Sequence, residues 1–382
     1  MTGSVLRVGL IVPRFAPYHG GVETCSADAA AGLAAKGAEV TVVTQIPRGL
    51  GLPMRDHQDG YTIERHHLPL GGSFDVPSPA AARAASQSGR FDVVWVQNYH
   101  TPLAWLAAEQ AKAPVVFTPH YHGGGHTALR HALHRPYRLA GRRLMAASRR
   151  LVVDTEAEAA LVLRDFPRQV QREKISVVPL VVADPVRGRQ PYPTQSPIVL
   201  TVARQEPYKR TDLLIHAVVE LRTRGVPARL VVVGDGSGMA AYRALAARLG
   251  AGDLVTFTGA VDDETLGRWW ASASLYATAS EQEAFGIGLA EALVAGLPVV
   301  ASGIPAHREV VQRAGPAALA ELCRPETPDR VATSLYADAI AQLLRSPGAC
   351  GQRAARCSLP SPAQIADQLL ATLTSVAELS RA

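Results

Sequence analysis

The chain has 382 residues, and a single hydrophobic core stops growing at roughly 250–300 residues, so two domains are expected. Hydrophobic residues make up 47% and charged residues 19%, and no stretch approaches the roughly 20 apolar residues of a membrane span, so a globular protein that does not cross a membrane is expected. The net charge of +6 is modest and accompanies no nucleic-acid-binding motif, so nucleic acid is not an expected partner. The first apolar run, residues 8–12, ends at Pro13 and lacks a cleavage site, so it predicts a strand rather than a signal peptide. A cytoplasmic protein is therefore expected.

Short β-branched runs then alternate with helical stretches along the first half of the chain. They predict strands at residues 8–12, 40–44, 93–97, 115–118, 151–153 and 175–179. Continuous apolar strands of this kind are typical of parallel sheets covered by helices on both faces. A helix after the fifth strand is expected to begin with a capping box formed by Thr155 and Glu158.

A proline-rich segment separates the two halves, and the same alternation resumes after it. Strands are predicted at 198–202, 229–233, 254–258, 274–277 and 298–301, followed by a helix near the end of the chain. We therefore predict an α/β protein with two Rossmann-like, doubly wound domains facing a central cleft. The domain bounds are 1–182, a linker at 183–197, a second domain at 198–360 and a C-terminal helix at 361–382.

Two adjacent glycines, Gly20 and Gly21, follow the first predicted strand and open the next helix. Glycine lets the backbone approach a ligand closely, and bare N–H groups at a helix N-terminus favour an anion such as a diphosphate. A Gly-Gly turn with a purely structural role is the alternative.

His120 stands directly after a predicted strand and ahead of a triple-glycine loop, so we expect it to point into the cleft. His122 and His126 lie close to it in sequence. Their spacing fits no standard zinc-ligand pattern, and no suitable cysteine or carboxylate follows, so no metal is expected. The four cysteines lack C-x-x-C spacing and suit reduced thiols.

Residues 126–150 form a concentrated basic segment with seven arginines, three histidines and no acidic residue. A solvated arginine-rich helix is the simple interpretation. The alternatives are contact with an anionic acceptor or a peripheral contact with an anionic membrane surface, which would make the protein membrane-associated.

Arg204 follows the first strand of the second half, and Lys209 precedes the next helix. Both cations are expected to face the cleft, where they could hold a diphosphate and neutralise the charge that grows on it as it leaves. Two surface cations on a loop are the alternative. The later run Gly234-Asp-Gly236-Ser-Gly238 lacks the spacing of a dinucleotide fingerprint, and no ribose-binding acid follows the next strand, so it predicts a tight turn rather than a dehydrogenase.

Glu283 and Glu291 are separated by seven residues across the predicted start of a helix. A rise of about 1.5 Å per residue puts them on the order of 10 Å apart along the chain. Glycosidases need their two carboxylates at roughly 5 Å or about 6.5–9.5 Å. This pair therefore suits a grip on two ends of one long ligand, such as a nucleotide-sugar, better than hydrolysis.

In order along the chain, these segments resemble the GT4 family of retaining glycosyltransferases, which have the GT-B fold. The matching parts are Gly20-Gly21, Thr118-Pro-His120, Arg204 with Lys209, Gly234-Asp-Gly236, Glu283-x7-Glu291 and Gly296-Leu-Pro298-Val-Val. The resemblance implies that the second domain binds the nucleotide-sugar donor and the first chiefly the acceptor, and we expect the C-terminal helix to return to the first domain.

The resemblance also implies a role for each matching residue. Glu291 would hold the ribose hydroxyls, and His120 would lie by the transferred sugar. Glu283 and the amides of Ala284, Phe285 and Gly286 would contact the sugar. The diphosphate would be held by Arg204, Lys209, Gly20 and Gly21. The base would meet the backbone near Gly259 to Val261. Catalytic contacts would thus come from His120, Glu283, Arg204 and Lys209.

By the same resemblance, transfer retains the anomeric configuration, proceeds on one face of the sugar and needs neither a metal nor a cofactor. UDP is the expected donor nucleotide, with GDP and other nucleotides as alternatives. The sequence departs from the family pattern at Ala203 and Arg210, where glycine is usual, and at Ala284, where a smaller residue is common and where the methyl group could narrow the choice of donor.

The acceptor is expected to be a small polar, phosphorylated or lipid-linked molecule with a reactive hydroxyl. Candidate wall residues, each of which also fits a core or surface role, are Asn98, His100, Tyr121, His122, His126 and Arg130. Two other functions fit the same pattern: a nucleotide-sugar epimerase with the GT-B fold, and a catalytically silent subunit that binds a partner enzyme.

Overall fold

A computed structural model describes residues 5–18, 20–69, 74, 76–123, 139, 141–316, 318–324, 329–345 and 357–380. The chain divides into two compact units. The first contains Met1–Val181 and Pro360–Ala382, and the second contains Val182–Leu359.

The described strands of the first unit form one sheet in the order β3-β4-β2-β1-β5-β6-β7-β8. All neighbouring pairs are parallel except β3 with β4. The strands are β1 (Arg7–Ile11), β2 (Glu39–Ile46), β3 (Arg55–Gln58), β4 (Tyr61–His67), β5 (Val93–Gln97), β6 (Val115–Thr118), β7 (Arg150–Val153) and β8 (Ile175–Val177). Their helices are α1 (Gly21–Ala35), α2 (Pro79–Ala85), α3 (Pro102–Gln110) and α4 (Glu156–Asp165), with residues 141–147 also helical.

The second unit contains a parallel sheet in the order β11-β10-β9-β12-β13-β14. Its strands are β9 (Ile198–Val202), β10 (Arg229–Val233), β11 (Val255–Gly259), β12 (Leu275–Thr278), β13 (Val299–Ser302) and β14 (Ala320–Cys323). Its helices are α5 (Thr211–Thr223), α6 (Met239–Arg248), α7 (Asp263–Ser272), α8 (Ile287–Val294), α9 (Pro305–Ala314) and α10 (Asp329–Arg345). The strand order reverses between β9 and β12, and the loops that follow these two strands lie at the topological switch point where open α/β sheets bind ligands.

The C-terminal helix α11 (Pro362–Leu379) packs on the first unit, as expected. Ile365, Leu369 and Leu373 join the core cluster that contains residues of β1 and β2, and Lys36, the C-cap of α1, pairs with Asp367 at 2.6 Å. A capping box between Ser361 and Gln364 starts the helix.

Three strands were not predicted from the sequence: β3, β4 and β14. The first two form a hairpin around Asp59 and Gly60, whose φ values are +48° and +83°. An Asp-Gly pair with both φ angles positive is the favoured two-residue hairpin turn, so the sequence contained the signal for this hairpin.

The segment predicted as a linker lies against helix α7 of the second unit. The Tyr192 ring lies 4.5 Å from the Trp269 ring, and the Tyr192 amide donates to the Ser272 hydroxyl at 2.7 Å. Within the described part of the chain, no helix combines the length and the apolar character needed to span a bilayer.

Candidate active site

Helix α8 begins at the switch point of the second sheet, and two glycines set its position. Gly286 caps the helix with φ at +98°, a left-handed conformation that disfavours other residues. A Cβ on Gly288 would lie 2.5 Å from the Tyr276 hydroxyl and 3.0 Å from the Val202 carbonyl oxygen. Helix α8 therefore approaches the ends of β9 and β12 closely, and the unsatisfied N–H groups of its first turn lie at this edge of the sheet.

Lys209 and Glu283 form an ion pair beside this helix terminus, with Nζ 2.5 Å from Oε1. Lys209 ends a short 3₁₀ turn after β9, and Glu283 lies in the loop after β12. The Glu281 amide donates to the Tyr208 carbonyl at 2.9 Å and joins the two loops. Lys209 and Glu283 were predicted to contact different parts of one donor, the diphosphate and the sugar, and the structure places their charges in contact.

Burial and pairing act in opposite directions on these two groups. Burial lowers the pKa of Lys209, but attraction to Glu283 and Tyr208 and the hydrogen bond to Glu283 together outweigh it, so the pKa lies above its ordinary value. Burial raises the pKa of Glu283, but attraction to Lys209 and then to His307 leaves it below its ordinary value. Both groups are therefore charged at neutral pH.

Arg210 follows Lys209 with φ at +50°, in the left-handed region. Its guanidinium pairs with Asp212 at 3.0 Å, Asp329 at 2.9 Å and Glu281 at 3.2 Å. Hydrogen bonding to Asp212 is the main reason that the pKa of Arg210 is raised. Three carboxylates thus hold an arginine in a conformation that glycine adopts without strain, which explains how the chain accommodates its departure from the family pattern here.

Arg204 lies in the same loop after β9 and is exposed. Its charge opposes the protonation of Lys209, so the two cations are near each other. Binding of one anion by both residues stays a prediction.

The turn 234–238 packs on the loop after β9. A Cβ on Gly234 would lie 2.0 Å from the Ala203 carbonyl oxygen, and one on Gly236 would lie 2.8 Å from the Gln205 backbone. The Gly234 amide donates to the Gly259 carbonyl at 2.9 Å. These glycines permit close backbone approach, which supports the interpretation as a tight turn, and base recognition by the backbone at Gly259 and the partly buried Val261 stays a prediction.

Glu291 lies on α8 and is partly buried. Burial raises the pKa of Tyr276, and the negative charges of Glu283 and Glu291 raise it further. Tyr276 therefore interacts electrostatically with both carboxylates. Between them in sequence, Ala284 is partly exposed at the loop, whereas the Phe285 side chain is buried.

His307 was missed by the sequence analysis. It lies in the first turn of α9, is 1% exposed, and its Nδ1 lies 2.9 Å from the Ser302 carbonyl oxygen. A Cβ on Gly286 would lie 2.8 Å from its Cδ2. No motif marks this residue, because its proximity to Glu283 depends on how α9 packs beside α8.

In the first unit, His120 has φ at +49°, an uncommon backbone conformation for histidine. Its Nδ1 lies 2.8 Å from Oδ2 of Asp154, and its Nε2 lies 2.9 Å from Oε1 of Gln97. Asp154 is buried, and its Oδ1 has no hydrogen-bond partner among the described residues. His120, Asp154 and Gln97 line a cavity of the first unit together with Cys25 and Ile365.

The predicted capping box at the start of α4 is only half correct. The Thr155 hydroxyl accepts from the Glu158 amide, as expected. The Glu158 carboxylate, however, accepts from the amides of Tyr121 at 2.5 Å and Asp154 at 2.7 Å. Burial, and then the nearby Asp154, raise the pKa of Glu158 well above its ordinary value. Glu158 thus fixes the backbone on both sides of the His120–Asp154 contact.

The structure changes the interpretation of several acceptor candidates. Tyr121 is fully buried in the core, and its hydroxyl donates to Asp165 at 2.7 Å, so it is not a pocket wall. Asn98, with φ at +73°, accepts from the His100 amide at 3.0 Å. The rings of His100 and His122 stack at 5.0 Å. His126 and Arg130, with most of the basic segment, lie outside the described residues.

Gly20 caps helix α1, and Gly21 is its first residue. A Cβ on Gly20 would lie 2.3 Å from the Glu23 carboxylate, which pairs with Arg14 at 2.8 Å. The glycine therefore makes room for Glu23, and diphosphate binding by these amides stays a prediction. Within the described ranges, no group of three or more His, Cys, Asp or Glu side chains is arranged to hold a metal ion.

Two family models match the chain in tandem. A glycosyl transferase 4-like domain matches residues 20–180, and the model for glycosyl transferases group 1 matches residues 184–356. The D-inositol 3-phosphate glycosyltransferase of Frankia alni is 30% identical over 365 residues, which cover 86% of each chain. That of Xylanimonas cellulosilytica is 29% identical over 327 residues, which cover 76% of this chain and 77% of the relative.

Solved structures show the same fold. Sucrose-phosphate synthase from Thermosynechococcus elongatus superposes with a TM-score of 0.73 at 18% identity and covers 98% of this chain and 97% of its own. HepE from Anabaena, solved with UDP and glucose, gives a TM-score of 0.73 at 18% identity and covers 97% of this chain and 100% of its own.

The fold and the matched models define a glycosyltransferase with the GT-B fold. The chain belongs to the GT4 family of these enzymes.

Proposed function

We propose that this chain is a retaining hexosyltransferase that moves a sugar from a UDP-sugar to a hydroxyl of a phosphorylated acceptor without a metal ion. The observation that carries the proposal is the mostly buried Lys209–Glu283 pair at the switch point, beside the N-terminus of α8. A cation, a carboxylate and bare amides at one place suit a ligand with a diphosphate at one end and sugar hydroxyls at the other.

In this proposal the donor binds along the start of α8. Lys209, Arg204 and the first-turn amides hold the diphosphate and stabilise the charge that grows on it as the bond to the sugar breaks. Glu283 accepts hydrogen bonds from the transferred sugar, and Glu291 accepts them from the ribose. Lys209 has three N–H donors, so it can bridge Glu283 and a phosphate oxygen.

Retention follows if the acceptor attacks from the face that the diphosphate leaves. The departing phosphate oxygen then takes the acceptor proton, so neither glutamate needs to act as a nucleophile or a base. The positive charge of Lys209 and Arg204 does the work that a divalent cation does in other transferases.

The names of related proteins support the choice of substrates. The two curated relatives named above are D-inositol 3-phosphate glycosyltransferases, and HepE was also solved with UDP-glucose. A phosphorylated cyclitol also suits the basic residues 126–150, since seven arginines without an acidic residue favour an anion. We assign acceptor binding to the first unit.

The test is transfer by the purified chain, in EDTA, from UDP-glucose, UDP-N-acetylglucosamine or GDP-mannose to inositol phosphate or to inositol. We expect a UDP-sugar to react with the phosphorylated acceptor and NMR to show an unchanged anomeric configuration. Inversion would contradict retention, loss of activity in EDTA would contradict metal independence, and a better reaction with inositol would contradict the anionic acceptor. An epimerised sugar from donor alone would identify an epimerase instead.

A further inference from the structure

His307 lies beside the loop that carries Glu283, next to Gly286 at one end and connected through Ser302 to Ser280 at the other. At one end, Ser302 donates from Oγ to the Ser280 carbonyl at 2.5 Å, and His307 Nδ1 lies 3.1 Å from the same Oγ. At the other end, the ring edge lies directly beneath Gly286. The loop 280–286 is therefore fixed at its first and last residues by one imidazole and the serine next to it.

The contacts also define the protonation of the ring. A backbone carbonyl can only accept, so the 2.9 Å contact with Ser302 O requires a proton on Nδ1. Burial lowers the pKa of His307, and Glu283 offsets this only in part. The ring is therefore neutral at neutral pH, with its lone pair on Nε2, the atom that a Cβ on Gly286 would approach to 3.1 Å.

The polar groups around the ring are buried and connected to Glu283. Ser280 is 0% exposed, Ser302 is 3% exposed, and the Ser280 hydroxyl hydrogen-bonds to the Glu283 carboxylate. The charged groups that act on the ring are Glu283, which attracts a proton to it, and Lys209, which opposes one. A buried polar group without a hydrogen-bond partner is costly, so each hydrogen bond in this network helps to fix the position of the next residue.

We propose that neutral His307 is a positioning residue for the donor sugar: it holds the loop 280–286 so that Glu283 and the amides of residues 284–286 keep the geometry that recognises the sugar. This inference rests on the proposed function of the same site. When His307 takes up a proton, a second cation stands beside Glu283 and competes with Lys209 for its charge. Sugar recognition therefore weakens in acid, while recognition of the nucleotide does not depend on this ring.

The experiment compares the affinities of UDP and of the UDP-sugar for the wild type, His307→Gln and His307→Asn, from pH 5 to 8. Gln and Asn are uncharged, and Asn keeps a donor near the Nδ1 position. His216→Gln, a partly buried histidine of α5, is the matched control. We expect His307→Gln to lose roughly tenfold in affinity for the UDP-sugar, the usual scale for a supporting hydrogen-bond partner, and His307→Asn to lose less because it keeps that donor, with UDP affinity unchanged in both. The acid weakening of sugar binding should also disappear in them.

Two results would overturn the proposal. One is an unchanged difference between UDP-sugar and UDP affinities in both variants, and the other is an equal loss for both ligands together with a lower melting temperature.

A second measurement does not need a functional donor: the NMR titration of the His307 ring should move to lower pH in Glu283→Gln, because the attracting charge is gone. If that titration does not move, the link to Glu283 is wrong. If it moves but the wild type binds no nucleotide-sugar, the proposed function fails while the link stands.

Discussion

Nζ of Lys209 lies 2.5 Å from Oε1 of Glu283, and both side chains are mostly buried. Because the pair is buried, replacing one partner leaves the other as an unpaired charge in a poorly hydrated site. A single substitution therefore lowers both the stability of the fold and the activity, and the two effects must be measured separately.

Lys209→Met and Glu283→Gln should each lower the free energy of unfolding by about 3 kcal/mol, because each leaves an unpaired buried charge. The double variant should recover much of that loss. Denaturant unfolding of the four proteins measures this cycle, with Asp253→Ala, at a surface pair with Arg222, as the control. Simple additivity of the two losses would contradict the pairing.

Transfer activity should not recover in the same double variant. Lys209 is proposed to neutralise the leaving diphosphate, so its loss should lower kcat on the order of 10²-fold even where stability returns. Steady-state kinetics at a temperature where all four proteins are folded separates the two effects. Activity that recovers together with stability would assign the pair a purely structural role.

The pair also predicts how stability depends on pH. The pKa of Glu283 is lowered in the folded state, so its stabilisation is present above its ordinary 4.5 and is lost as the pH falls further. The pKa of Lys209 is raised, so its stabilisation is present below 10.5 and is lost as the pH rises through the folded value. The difference in unfolding free energy between the wild type and Glu283→Gln should therefore become smaller below pH 4.5. The difference between the wild type and Lys209→Met should become smaller above pH 10.5. Differences independent of pH would argue against these shifts.

Asp154→Asn tests whether His120 depends on its carboxylate. The amide would keep an oxygen near Nδ1, but the charged carboxylate that orients the ring would be gone. We expect kcat to fall by roughly tenfold with the donor KM unchanged. Glu156→Gln, an exposed carboxylate two residues away, is the control, and equal kinetics for the two variants would remove Asp154 from any role at His120.

Gly288→Ala tests the placement of α8. A methyl group there meets the Tyr276 hydroxyl and the Val202 carbonyl, so the helix must move away from the sheet edge, and donor affinity should fall at least tenfold. Gly252→Ala adds the same methyl group where no atom lies within 4 Å. Calorimetric titration with UDP measures both variants, and equal affinities would mean that the start of α8 does not hold the nucleotide.

The repeating strands could be predicted because their apolar runs are local. The hairpin of β3 and β4 was missed although Asp59 and Gly60 signal its turn, since β3 is largely exposed and has no apolar run. For the site, Glu283 and Lys209 could be chosen from motifs, but their contact joins residues 74 positions apart. His307 had no motif at all, and its position depends on the packing of α9 against a glycine. The sequence therefore indicated the candidate ligand contacts Lys209 and Glu283, but not the residue that packs beneath their loop.

Helix α11 has a consequence for synthesis of the protein. Its apolar face completes a core that begins with β1, yet it is made after the entire second unit. A chain emerging from the ribosome can therefore close the second unit while the first still exposes the surface that Leu369 and Leu373 will cover. Synthesis of the first unit begins before that of the second unit but is completed after it.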